Sequence, residues 1–238
     1  MKALIFAAGL GERMRPLTDT TPKPLLVAGG TPLIAWHLEK LAALGVRDVV
    51  VNVSWLAGQF PQVLGDGACW GLCIEYSQEG PVPLETGGGM HHALRLLRGG
   101  GDEPFIAVNG DIWTDYDFSR LPREPAGDAH LVLVDNPTHH PHGDFMLEAD
   151  GRVVAEGEPR LTFAGIGVYR PSLLAGWRDA IGDAPGAEST PPRFKLAPLL
   201  RAAMDRSRIS GEHHRGCWTD VGTPQRLAAL DAALAQAR

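Results

Sequence analysis

The chain has 238 residues, 44% of them hydrophobic and 21% charged, with 29 glycines and 19 prolines, enough for one large domain, or two at most, that buries about 70% of its unfolded surface. Twenty-two basic against 28 acidic side chains leave a formal charge of −6. This excludes a nucleic-acid binder held by a general positive field, so an anionic ligand must meet a local patch.

The first apolar run, Ala3 to Ala8, is followed at once by Gly9, Gly11, Glu12 and Arg13. It is too short for a signal peptide, and no stretch approaches a membrane span. A cytoplasmic protein without a membrane partner is expected. Ala3-Leu4-Ile5-Phe6-Ala7 reads as a fully buried parallel strand. After a glycine-rich loop, Pro32 opens a segment where Leu33, Ile34, His37, Leu38, Leu41 and Leu44 share one helical face, and Gly45 stands where a left-handed residue ends a helix. Val49 to Val53, Leu72 to Tyr76 and Phe105 to Val108 are further buried strands, with a helix marked by Met90, Ala93, Leu94 and Leu97 before the last. This alternation predicts an α/β fold, a Rossmann-like doubly wound mixed sheet.

Further along, Phe145 to Leu147 and Val153 to Ala155 flank Asp150-Gly151, a two-residue hairpin signal, and Leu161 to Tyr169 supplies another strand. Antiparallel strands should therefore extend the sheet. Residues 182–193 have a loop composition and are expected to be mobile. Helices follow at Leu196 to Met204 and from Pro224 onward. Cys69, Cys73 and Cys217 are too few for a disulfide scaffold and lack zinc-ligand spacing. His139, His140 and His142 lie among prolines in an evident loop, without a carboxylate pair of fixed geometry nearby.

Three constellations carry chemistry. Ala8, Gly9, Gly11, Glu12 and Arg13 follow the first strand, where glycine lets backbone N–H groups approach phosphates. The loop is neither a dinucleotide fingerprint, because Met14 replaces the third glycine, nor a P-loop. It stands out by its cations, Arg13, Arg15 and Lys23. Eighteen of the 22 basic residues are arginine, so the four lysines are worth weighing one by one. Lys2 and Lys40 suit a solvated surface; Lys23, fenced by Pro22 and Pro24, and Lys195 are the functional candidates. The second constellation is Asn109-Gly110-Asp111 at a strand end, with Asp220 near Pro224. Either carboxylate suits Mg²⁺ or a turn. The third is Glu85-Thr86-Gly87-Gly88-Gly89, either a flexible loop or bare backbone for a base or phosphate.

Together, Ala7 to Thr18 with Pro22-Lys23-Pro24, Asn109-Gly110-Asp111 and Asp220-Val221-Gly222-Thr223 resemble the sugar-1-phosphate nucleotidylyltransferases over nearly the whole chain. Leu84 to Gly89, Asn109 to Phe118 and Phe194 to Leu200 resemble the branch that transfers uridylyl groups to N-acetylmuramic acid 1-phosphate in cell-wall sugar recycling. The resemblance implies UTP and a sugar 1-phosphate as substrates, with no nucleic acid. A mannose- or glucose-1-phosphate enzyme using GTP or another NTP is the alternative, and a non-catalytic nucleotide-sugar-binding regulator a remote one. It implies Arg13, Lys23 and Asp111 as catalytic groups. Ala8, Gly9, Gly11, Glu12, Arg13, Lys23, Glu79, Gly87 and Gly88 would bind the nucleotide. Asn109, Gly143, Asp144, Glu156 and Gly165 would bind the sugar, and Asp111 and Asp220 would hold Mg²⁺. Glu156-Gly157-Glu158-Pro159 lacks a lysine that many relatives carry, a gap Lys195 could fill. The implied layout is one nucleotidyltransferase domain, nucleotide-binding over 1–120 and sugar-binding over 121–238. The oligomeric state is left open.

Overall fold

The computed structural model describes residues 1–236. Its first half alternates as the apolar pattern dictates. The strand β1 (Ala3–Phe6) is followed by a short hairpin of β2 (Val27–Ala28) and β3 (Thr31–Pro32), then α1 (Leu33–Ala43) and β4 (Asp48–Val53). Next come α2 (Gln59–Leu64), β5 (Cys73–Gln78), α3 (Glu85–Leu97) and β6 (Phe105–Asn109). Gly45, at φ +83°, takes the left-handed conformation that closes α1.

β1 pairs in parallel with β4 on one side and β6 on the other, Ala3 lying opposite both Val49 and Ile106. Flanked on both edges and covered on both faces, it has no room for alternation, which is why it is apolar throughout. Ile5, Val51 and Val108 face Ile34, Leu38 and Leu41 of α1 and Phe60 of α2. Leu4, Val50 and Ala107 face Met90 and Leu94 of α3 on the opposite side. The chain winds outward through β4 and β5, then returns across β1 to lay down β6. The order therefore reverses between β1 and β6, where a ligand crevice opens beyond the strand ends.

The second half contains β7 (Ile112–Thr114), β8 (Ala129–Val134), β9 (Phe145–Leu147), β10 (Val153–Val154) and β11 (Arg160–Tyr169). After α4 (Trp177–Ile181) and α5 (Ala197–Asp205) come β12 (Ile209–His214), β13 (Trp218–Asp220) and α6 (Pro224–Gln236). The nine-stranded sheet runs β10-β9-β11-β6-β1-β4-β5, with β8 on the other edge of β11 and β12 on β8. β11 is shared: its C-terminal part pairs antiparallel with β6 and its start with β9. Between them its register shifts and Gly165 turns to φ +75°, splitting the sheet. The α/β class, the mixed sheet and the antiparallel additions thus match the sequence reading.

One local expectation is corrected. The Asp150-Gly151 hairpin is not a two-residue one: Glu148 N donates to Arg152 O at 2.8 Å and encloses three residues, with Gly151 at φ +86° absorbing the extra one. The 182–193 segment makes a contact within itself and leads into a docked Phe194. Arg193 N donates to Gly186 O at 2.9 Å, Phe194 N to Leu84 O at 3.1 Å, and the Phe194 ring stacks on Trp177 at 4.5 Å. A third cluster joins Met14, Leu26, Leu33, Val221 and Leu230, so Met14 pins the end of the glycine loop under α6.

His37 of α1 is fully buried and contacts Ile112 O through Nε2 at 2.9 Å, next to Asp111. Burial holds its imidazole down at about 4, against the pull of that hydrogen bond. The neutral ring must therefore donate, and protonation of the unfolded chain comes first. Stability from this group is intact above about pH 6.5 and falls as pH drops from there towards 4, by roughly 3 kcal/mol. Urea unfolding from pH 7 to pH 4 should show this slope, and His37→Gln should flatten it. An identical slope in the variant would remove His37 from the account.

Candidate functional site

A cleft of about 640 Å³ opens at the ends of β1 and β6 and is lined by the loop from Ala7 to Met14. The loop leaves β1 with Ala7 N donating to Asn52 Oδ1 at 2.6 Å. At Gly9 an added Cβ would meet nothing within 4 Å, so open space rather than protein lies over its backbone. Gly11 differs: at φ +67° it sits so close to Thr18 that a Cβ would lie 2.8 Å from Cγ2, and the Thr18 hydroxyl donates to its carbonyl at 2.8 Å. Ala8, Glu12 and Arg13 also line the cleft. Arg13 is exposed and has no ion-pair partner among the described residues.

Opposite stand Lys23 and Asp111. Pro22 and Pro24 hold Lys23 in a short helical turn, buried to 8% exposure, and its ammonium donates to Asp111 Oδ2. Gly110 makes this turn possible, since a Cβ there would lie 2.9 Å from Phe6 O. Asp111 O accepts from Val221 N at 2.9 Å, which brings its backbone beside Asp220. Asp220 Oδ1 accepts from Arg226 Nη1 at 2.5 Å and lies 2.8 Å from His139 Nε2. Asp111 Oδ1 and Asp220 Oδ2 carry no hydrogen bond among the described residues. Asp111 lines the cleft and Asp220 does not; each keeps an uncommitted carboxylate oxygen, a type of donor suited to a hard divalent cation.

A further wall is formed by Glu79, which the sequence suggested, and Asn52, which it did not. Asn52 Nδ2 donates to Glu79 Oε1 at 2.5 Å, and Leu84 N donates to Oε2 at 2.7 Å. Burial still holds the Glu79 carboxyl above its usual range. Asn52 thus ties the glycine loop to the opposite wall; its only signal was a lone amide at the end of Val49-Val50-Val51. Arg193 also lines this cleft and lies 3.2 Å from Glu85 Oε1. Glu85 opens α3 at φ +62°, a strained conformation for a residue with a side chain.

The glycine run after Thr86 is not a bare platform, which corrects the expectation for Gly87 and Gly88. Both are buried in α3. A Cβ at Gly87 would lie 2.6 Å from the Phe194 ring, and one at Gly88 2.5 Å from Pro192 O. The glycines are there so that residues 192–195 can lie on the helix. Gly88→Ala meets a backbone carbonyl that cannot swing away, and should lower stability by about 1 to 3 kcal/mol. The midpoint of thermal unfolding measures this; an unchanged midpoint would mean the segment yields freely.

A second, smaller cavity of about 180 Å³ adjoins the first and shares Phe6, Thr86 and Asn109 with it. It lies where β11 splits. Gly165 leaves room for Asn109, whose Nδ2 would be 2.5 Å from a Cβ. Asp144 lines the cavity and is fixed by Phe163 N, which donates to Oδ2 at 2.8 Å. Gly143, at φ +61°, turns the chain tightly against Asn136 and Arg160. Glu156 and Lys195 line neither cavity. Glu156 is exposed and paired with Arg160 at 2.6 Å; Lys195 is exposed just before α5.

A doubly wound sheet with a glycine loop, cations and carboxylates at its switch point defines a nucleotide-handling α/β protein. The pattern of the nucleotidyl transferases matches residues 2–237, and the chain belongs to this enzyme family. It is 48% identical to an N-acetylmuramate alpha-1-phosphate uridylyltransferase of Neisseria meningitidis serogroup B, over 98% of this chain and 97% of the other. A protein of the same description from Caulobacter vibrioides is 35% identical, covering 99% and 97%. A mannose-1-phosphate guanylyltransferase of Mycobacterium tuberculosis is 30% identical, covering 94% of this chain and 61% of its own. Among solved structures, a putative glucose-1-phosphate thymidylyltransferase from Bacillus anthracis shares the fold at TM-score 0.81 and 20% identity, covering 98% and 95%. No described helix is long and apolar enough to cross a membrane.

Proposed function

We propose that this enzyme transfers the uridylyl group of UTP to the phosphate of N-acetylmuramic acid α-1-phosphate, giving UDP-N-acetylmuramic acid and pyrophosphate. The near-full-length likeness to the Neisseria protein carries the choice of substrate, and the two adjoining cavities support it. UTP would occupy the larger, with its phosphates over Gly9 and Gly11 and its base towards Glu79. The sugar would occupy the smaller, its hydroxyl groups on Asn109 and Asp144. The two halves of the chain, divided at residue 120, would cooperate, since Arg193 and Gly222 also line the larger cleft.

The nucleophile is a sugar phosphate already anionic at neutral pH, so no general base is needed. The site has to align two polyanions and offset their charge. Arg13, without a partner among the described residues, would meet the developing charge on the leaving pyrophosphate, and buried Lys23 the α-phosphate. Asp111 and Asp220 would hold a divalent cation, Mg²⁺ in this reading, which when bound supplies further charge neutralisation. Pyrophosphate release with UTP and Mg²⁺ tests the reaction across N-acetylmuramic acid, N-acetylglucosamine, glucose and mannose 1-phosphates. Release should be strongest with the muramyl substrate. Preference for GTP with mannose 1-phosphate would overturn the substrate, and silence with every nucleotide would overturn the reaction.

A further inference from the structure

N-acetylmuramic acid differs from N-acetylglucosamine by a lactyl ether, a methyl group beside a carboxylate. The smaller cavity suits the apolar part of this group: Phe145, Leu196, Ala197 and Leu200 form one side of it. Nothing lining it suits the carboxylate. Its one charged side chain is Asp144, an anion, and a second carboxylate brought there needs a cation to offset both repulsion and desolvation.

Several cations lie near by position in the chain, and their contacts separate them. Arg160 is committed, with Nη2 2.6 Å from Glu156 and Nε donating to Gly157 O at 3.2 Å. Arg193 lines the other cleft and is paired with Glu85. Lys195 has no partner among the described residues and lines neither cavity, but its chain neighbour does. The next residue, Leu196, donates its N–H to Thr86 Oγ1 at 3.2 Å, and Thr86 lines both. A cation there would serve the phosphate common to every sugar 1-phosphate. Arg201 is placed differently. Ala197 and Leu200 line the smaller cavity, and Arg201 stands one turn after Ala197 on α5, at the i+4 spacing that puts the two side chains on one face. Its guanidinium lies 6.0 Å from the centre of the Phe145 ring, a wall of that cavity. It is exposed and pairs with no carboxylate among the described residues.

We infer that Arg201 binds the lactyl carboxylate and so sets the preference for a muramyl over a glucosaminyl phosphate, an assignment that rests on the proposed substrate. Its planar fork can meet both carboxylate oxygens at once while its flat face rests on Phe145. The apolar side of the cavity takes the methyl group.

The test pairs a protein change with a substrate change. kcat/KM is measured at saturating UTP for N-acetylmuramic acid 1-phosphate and for its analogue with the lactyl acid converted to the neutral amide. The native enzyme should prefer the acid by tenfold or more. Arg201→Gln should lose that factor with the acid, keep its rate with the amide, and treat the two alike. Arg201→Lys should recover part of the preference, and Lys195→Ala should lower both substrates equally. If Arg201→Gln slows both and keeps the preference, Arg201 is only structural and the inference falls. A native enzyme that treats acid and amide alike also overturns it, while leaving the substrate intact. A native enzyme that turns over neither overturns the substrate itself.

Discussion

Arg13→Ala is expected to lower kcat by about a hundred- to a thousandfold, equivalent to 3 to 4 kcal/mol of transition-state stabilisation, with a smaller change in KM for UTP. The size follows from where the charge is needed. Pyrophosphate gains negative charge only as it leaves, so a cation aimed at it is worth more in the transition state than in the bound substrate. In the proposed reaction Arg13 would meet this need, since it is exposed in the cleft and unengaged by any carboxylate among the described residues. For the same reason its removal should leave thermal stability nearly unchanged, since the fold takes no ion pair from it. The comparison is of kcat, KM and unfolding midpoint in one preparation. A loss of less than about tenfold in kcat would remove Arg13 from the reaction.

Asp111→Asn should abolish more activity still, at least about a thousandfold at saturating Mg²⁺, and it should also leave a mark on stability. The amide cannot serve as an anionic ligand for a divalent ion. It also weakens the partner of Lys23, whose side chain is only 10% exposed while that of Asp111 is 37% exposed. Because solvent reaches one side of the pair, the stability cost should stay near 1 kcal/mol, below that of breaking a fully buried pair. Denaturant titration beside initial rates separates the two effects. A stability loss above about 3 kcal/mol with modest loss of rate would mark Asp111 as a structural residue.

The parallel half of the fold was legible because buried strands leave an uninterrupted apolar signature, as in Ala3 to Phe6 and Val49 to Val53. The edge of the sheet was not. β12, Ile-Ser-Gly-Glu-His-His, is polar because its side chains answer to polar partners from distant parts of the chain: Glu212 to Tyr116 and Arg120, His213 to Asp135, His214 to Asp115. Such pairing is long-range and leaves no period. In the site, the loop glycines and the strand-end carboxylate could be read from residue type and place. Gly87 and Gly88 misled because glycine serves equally for a ligand or for close-packed chain, and here Phe194 and Pro192 fill the space. Asn52 stayed hidden because one amide among valines says nothing of the two walls it joins. Lys23 stands out as a functional candidate by its prolines, and only the family resemblance gives it a phosphate; its pairing with Asp111 joins positions far apart in the chain, which spacing does not convey.

In the proposed reaction the two cavities bring a sugar phosphate against the α-phosphorus of UTP. Following label from UTP carrying ³²P at the α position, with N-acetylmuramic acid 1-phosphate and Mg²⁺, tests it most directly. All transferred label should appear in UDP-N-acetylmuramic acid, with pyrophosphate unlabelled and formed in equal amount. Label recovered in UDP or UMP, with none in a nucleotide sugar, would contradict it.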